Sequence, residues 1–246
     1  MAVKKYSLKK QGEKLLSEHF KVKEFASRNG NKIYSDSVYV NTNVIKALEK
    51  IFSLKNLNVK SINITSGYRT VAHDTAVAGQ SNSRPHSSGK AVDFICVDKA
   101  GKVIPSQKIC CILEDFGNVN GIGHISDRAT HMDIDFRTKS RRWWGDETTK
   151  GQHTIQYFGY NSWYKYFKNP YSEPKRQLKK GDKGQDVWWV QYHLKRLGFL
   201  NCAISGEFGS KTEKAIKKFK KKKGLGGKKP NGTVGEKTVK ALKRQG

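Results

Sequence analysis

The sequence predicts an α+β domain, with helices packed on a small antiparallel sheet, followed by a small all-α domain of about three helices. Three observations carry this. Stretches with a period of two alternate with stretches of helical period over the first two thirds of the chain. "THMDIDFR" (130–137) alternates strictly, with His131, Asp133 and Asp135 on one face and Met132, Ile134 and Phe136 on the other. The last third shows helical periods only, and it contains a near-repeat.

Taken in order, "YVNTNVIKALEKIFSL" places Val44, Ile45, Leu48 and Ile51 on one helical stripe. "VKSINITSGY" alternates and is rich in β-branched residues, so it reads as a strand. "AVDFICV" (91–97) reads as a buried strand, and "SQKICCILEDFG" as a further helix. "KNPYSEPKRQ" (168–177) holds two of the five prolines and no apolar period, which marks a linker. The expected division is 1–168, a linker over 169–176, and 177–246. In the last segment, "DVWWVQYHLKRLGF" spaces Val187, Val190, Leu194 and Leu197 as a helix, with Gly198 suited to its C′ position. "GEFGSKTEKAIKKF" from Gly206 and "GTVGEKTVKALKRQ" from Gly232 share one frame, with Gly209 and Gly235 at turns and Thr212 and Thr238 near helix starts.

The 246 residues carry a formal net charge of +27, and 21 basic residues face 5 acidic ones from Lys175 onward. Such a charge attracts a polyanion: nucleic acid, anionic lipid or an acidic cell wall. A nucleic-acid binder would interleave its basic residues with stacking aromatics or a recognition motif. Here Phe208 and Phe219, near the run "KKFKKKKGLGGKK", fit core positions, and no such motif is present. No run of about 18 apolar residues offers a membrane span. The basic opening lacks an apolar h-region, so a secretory signal is not expected. Cys96, Cys110, Cys111 and Cys202 match no metal or redox spacing and read as buried, reduced thiols.

Asp93 poses the chemical question. A carboxylate within an apolar strand is costly unless an arginine, backbone amides or a metal satisfies it. His86 lies on the small-residue loop just before it, and His131 lies on the polar face of another strand. Two histidines and a carboxylate form a frequent catalytic zinc set, with the fourth position left to water. The bland alternative is a satisfied core aspartate and two unrelated histidines.

"SGYRT" (66–70), "HSSGKAVD" (86–93) and "HMD" (131–133) together resemble the M15 zinc peptidases, a family of D-Ala-D-Ala carboxypeptidases and of phage endolysins that cut L-Ala-D-Glu bonds. "YSLKKQGEKLLSEHFKVKEFAS" is similar to the opening of such endolysins, and the C-terminal segment resembles a three-helix peptidoglycan-binding domain. The resemblance implies a small antiparallel-sheet domain of the hedgehog/DD-peptidase type. It implies Zn2+ on His86, Asp93 and His131. It implies Arg69 as a bidentate clamp on the stem peptide, with Ser66 and Tyr68 shaping the binding loop. Gly89 and Ala91 would keep the path between the ligands close to the metal. The general base is Asp127 or Asp133, with Asp127 favoured and Asp133 otherwise orienting His131.

One departure from the family pattern is Pro85 directly before the first ligand. His73 and His124 are expected on the substrate side or surface, His153 and His193 as background, and Trp143 and Trp144 in the core. The implied partners are peptidoglycan and anionic wall polymers, with no specific nucleic acid and no membrane span, for a monomer. The implied location is the host cytoplasm until lysis. A D-Ala-D-Ala carboxypeptidase and a non-catalytic wall-binding protein are the alternatives.

Overall fold

The computed structural model describes residues 3–78, 84–134 and 143–245. The chain divides into two compact units, Met1–Gly159 and Tyr160–Gly246.

The first unit contains β1 (Val3–Ser7), α1 (Leu8–Gln11), β2 (Arg28–Asn29), β3 (Lys32–Ile33), β4 (Ser37–Asn41), α2 (Thr42–Phe52), β5 (Val59–Ser66), α3 (Val71–Ala78) and α4 (Arg84–Ser87). It continues with β6 (Ala91–Asp98), α5 (Ser106–Glu114), β7 (Gly121–His124), β8 (Ala129–Asp133) and β9 (Trp143–Asp146). The predicted stripe forms: α2 buries Val44, Ile45, Leu48 and Ile51, and Asn41 caps it by accepting from the Asn43 N–H at 2.9 Å. β1 pairs antiparallel with β4.

The main sheet has the order β5-β6-β8-β7-β9. It departs from the antiparallel expectation at one edge, where β9 runs parallel to β7. α5 packs on β7 and β8, burying Ile109, Cys110, Cys111, Ile112 and Leu113. The four cysteines are free, three of them buried and Cys202 half-buried. Burial pushes the Cys96 and Cys110 thiols up, so both remain protonated.

The second unit is helical: α6 (Trp163–Tyr166), α7 (Gln185–Arg196), α8 (Ser210–Lys222) and α9 (Glu236–Gln245). α7 buries Val187, Val190 and Leu194, and Gly198, at φ +75°, follows its C-cap Leu197. The segment expected as a linker packs within this unit. Tyr171 stacks on Trp188 with ring centroids 5.2 Å apart, and the Asn169 side chain donates to the Trp189 carbonyl at 3.0 Å. Earlier aromatics join them, with Tyr164 against Tyr192 at 5.1 Å. That packing explains why the division falls before Tyr160.

Gln191 organises the loop between α7 and α8. Its amide nitrogen donates to the Glu207 carbonyl (2.8 Å) and to Thr212 Oγ1 (3.0 Å), while its oxygen accepts from the Ser205 and Gly206 N–H groups (3.0 and 2.9 Å). Each copy of the repeat is bridged to the segment before α7, Glu207 to Lys183 and Val234, just before α9, to Leu178. α8 buries Ile216 and Phe219 and exposes Lys211, Lys214, Lys217, Lys218, Lys221 and Lys222. Among the described residues, no helix is long and apolar enough to cross a membrane.

Candidate metal centre

Strand register brings the predicted ligands together. Asp93 on β6 lies directly opposite His131 on β8, so alternation puts both side chains on one face. His86 comes from α4, the short helix just before β6. The path from His86 to Asp93 bends through Gly89 at φ +66°, where an added Cβ would fall 2.3 Å from the Tyr39 carbonyl oxygen. Only glycine meets both demands. The Gly89 carbonyl accepts from the Asn41 N–H at 2.8 Å, which pins the ligand loop to β4.

The donor atoms of His86, Asp93 and His131 all lie within 4.8 Å of one another. His131 Nδ1 is 2.6 Å from Asp93 Oδ1, and His86 Nε2 is 3.4 Å from the same oxygen. Each ligand's second polar atom has a protein partner on the far side. His86 Nδ1 donates to the Gly67 carbonyl at 2.7 Å, which leaves Nε2 facing the shared point. Asp93 Oδ2 accepts from Arg69 at 2.7 Å. His131 Nε2 lies 3.6 Å from Asp133 Oδ2.

This is the donor chemistry of a zinc site: two imidazole nitrogens and one carboxylate oxygen converge, each oriented by an outer partner. The residues fit the ion. Electrostatics agree. Burial would raise the Asp93 carboxyl, but the charge of His86 and the bond to His131 outweigh it and hold Asp93 well below the usual range. Burial likewise disfavours a charged His131, yet its contacts with Asp133 and Asp93 outweigh that and push it up to about 10. A proton on His131 thus supplies the positive charge that a metal ion would bring.

Other expected site residues fall into different places. Arg69 binds three protein groups: Ser66 Oγ through Nε (2.7 Å), Asp74 (3.3 Å) and Asp93 (2.7 Å). Ser66 therefore supports Arg69. Tyr68 is half-buried against Tyr39, with ring centroids 5.1 Å apart. Asp133 is buried against Gly121, where an added Cβ would fall 1.8 Å from Asp133 Oδ2. Asp127 is exposed in the turn joining β7 to β8, and its carbonyl accepts from the Ser106 N–H. Ala129, two residues short of His131, is already about 7 Å along the strand, and Asp127 lies beyond it. The structure thus brings Asp133 to the ligands and leaves Asp127 apart.

His73 and His124, expected at the surface or substrate side, are both core residues. His73 bonds Ser27 Oγ at 2.9 Å and stacks on Tyr34; His124 bonds Ser106 Oγ at 3.0 Å beneath α5. His124 neighbours Gly123 on β7, so it points to the face opposite the ligands. His153 stacks on Tyr157, and His193 is buried in the second unit. Arg141, Arg142 and the side chains of Trp143 and Trp144 lie outside the described residues.

Two acids went unnoticed in the sequence. Asp74 is buried and holds Arg69; its one signal is a lone acid in the helix "VAHDTAVA". Glu147 follows β9, half-buried, and its N–H donates to the His124 carbonyl at 2.9 Å. Burial raises its carboxyl above the ordinary range, and the charges of His131, Asp93, Arg69 and His86 all act on it.

Residues 18–133 match the family model Peptidase M15, and residues 183–242 match the peptidoglycan binding domain model. Residues 18–133 thus match an M15 peptidase domain, and residues 183–242 a peptidoglycan-binding domain C-terminal to it. That pairing supports a cell-wall peptidase. Among solved structures, the SleB N-terminal domain is similar at 32% identity over 30% of this chain and 96% of that one, with a TM-score of 0.28, too low to define a fold. No curated protein matches the chain.

Proposed function

We propose that this protein is a zinc-dependent peptidoglycan peptidase of the endolysin type, acting on a peptide bond of the bacterial stem peptide. The observation that carries the reading is the convergence of three donor atoms, each of whose residues is held from behind by Gly67, Arg69 or Asp133. Zinc bound there would supply a Lewis acid that polarises the scissile carbonyl and acidifies water.

The chain's own groups do the rest. Arg69 holds Asp93 Oδ2 and so aims Oδ1 at the shared point, and Ser66 and Asp74 keep Arg69 in place. Asp133 orients His131. The Gly67 carbonyl fixes the His86 tautomer. Beside His131, the next two strands carry Gly123 and Gly145, which leaves that one level of the sheet face without side chains, as a floor for an extended peptide.

An endopeptidase is favoured over a D-Ala-D-Ala carboxypeptidase. A carboxypeptidase needs a cation for the substrate's terminal carboxylate, and Arg69, the candidate for that task, already binds Asp93, Asp74 and Ser66. The second unit, as a monomeric anchor, raises the local concentration of wall at the site. The lysine face of α8 adds salt-sensitive attraction to anionic wall polymers. Synthesis and retention in a host cytoplasm until lysis complete the endolysin reading.

The test is digestion of purified peptidoglycan with and without a chelator, with the new termini identified by mass spectrometry. A chelator-sensitive free D-Glu amine is the expected product. Chelator-sensitive release of D-Ala would establish the carboxypeptidase instead. Wall binding without chelator-sensitive cleavage would leave a non-catalytic binding protein.

A further inference from the structure

We propose that Glu147, fourteen residues beyond the segment matched by the peptidase family model, is the carboxylate that moves the proton during hydrolysis. The proposal rests on the peptidase reading above.

The geometry comes from strand register. Asp93 faces His131, His131 faces Gly123, and Gly123 faces Gly145, forming one row across β6, β8, β7 and β9. Glu147 extends the ladder past β9 through its bond to the His124 carbonyl. Gly145 shares the face of the ligands, and Glu147 stands two residues further on, at the start of the turn that leaves β9. The two glycines between them place no side chain in the way. The groups that act on its carboxyl are those of the metal centre and its support: His131, Asp93, Arg69 and His86.

The other nearby acids have different places. Asp133 is committed behind His131, and Asp127 sits in the exposed turn. Half-burial suits a proton carrier, because it raises the carboxyl toward working pH.

The step balances. Glu147 takes one proton from water as the water oxygen bonds to the carbonyl carbon. It passes that proton to the amide nitrogen as the C–N bond breaks. One water is consumed, one carboxyl and one amine appear, and Glu147 returns to its starting state.

The experiment uses the full chain with Glu147→Gln, Glu147→Asp and Asp127→Asn. Zinc affinity is measured by calorimetry, and kcat and KM on a soluble stem peptide. The expected result for Glu147→Gln is a kcat lower by about 100-fold or more with KM and zinc affinity within about threefold. Glu147→Asp should recover part of the rate, and Asp127→Asn should match the parent.

A second readout is independent of turnover. One equivalent of zinc should lower the midpoint of the Glu147 side-chain carbon titration followed by NMR, because a nearby cation favours the carboxylate. A Glu147→Gln kcat within threefold of the parent overturns the proposal while leaving the peptidase reading intact. So does a rate loss that only follows lost zinc, or a carboxyl indifferent to zinc. A parent protein that cleaves no peptide in a zinc-dependent way overturns both.

Discussion

Each unit of this protein is built around a buried polar cluster, and the two clusters are satisfied in opposite ways. In the second unit, neutral Gln191 places four hydrogen bonds on backbone and side-chain partners, and nothing external is required. In the first unit, Asp93, His86, His131, Arg69, Asp74 and Asp133 crowd together as charged or chargeable groups. Their balance depends on a cation at one point, a proton on His131 or a metal ion in its place. A neutral network gives unconditional architecture; a charged one is conditional on what it binds, and that is the property a reaction centre needs.

The sharpest way to break the comparison is to remove a converging donor. His86→Ala should abolish chelator-sensitive peptidoglycan cleavage and calorimetric zinc binding, while a wall pull-down retains the protein through its second unit. Loss of wall retention as well would mean that the clusters are not separable.

Next in size is Gln191→Leu. It removes all four hydrogen bonds of the Gln191 amide and should destabilise the second unit by about 2–4 kcal/mol in urea unfolding, with zinc affinity unchanged. A smaller effect is expected for Arg69→Ala, which removes the partner behind Asp93. Zinc affinity or cleavage rate should fall about 10–100-fold. An unchanged zinc affinity with a raised KM would instead return Arg69 to the role of substrate clamp.

The mildest test concerns pH. Burial, with the Arg196 charge, pushes the His193 imidazole down to about 4. Between that value and the ordinary 6.5, the unfolded chain binds a proton that the folded unit does not. The stability from His193 is therefore full above about pH 6.5 and is lost as pH falls toward 4. Urea midpoints at pH 7.5 and 4.5 should differ less for His193→Phe than for the parent.

The sequence made some of this legible and hid the rest. His86, Asp93 and His131 could be read because loop, strand and alternation are local properties, and because a carboxylate in "AVDFICV" demands a partner. The α2 stripe and the helical periods of the second unit were readable for the same reason. The partners behind the ligands were not. That Arg69 turns to Asp93 depends on a register shift between Ile64 and Ser66, which sets Ser66 opposite Asp93. His124 sits one residue from the bare glycine row and faces the other way, a difference that only strand register reveals. Glu147 and the parallel placement of β9 depend on a crossover that no local period encodes. Tyr171 lies in a proline-rich stretch whose composition suggests a tether, yet one aromatic is enough to anchor it on Trp188.

The contact between Gly89 and β4 has an architectural consequence. The loop that spaces His86 from Asp93 is braced by Tyr39 and Asn41, and β4 is itself held by pairing with β1. Strand β1, which carries none of the converging donors, is thus a buttress of the candidate metal centre. A change to Val3–Ser7 that unpairs β1 from β4 would loosen the spacing of His86 and Asp93 at a distance, without altering any of the three converging residues.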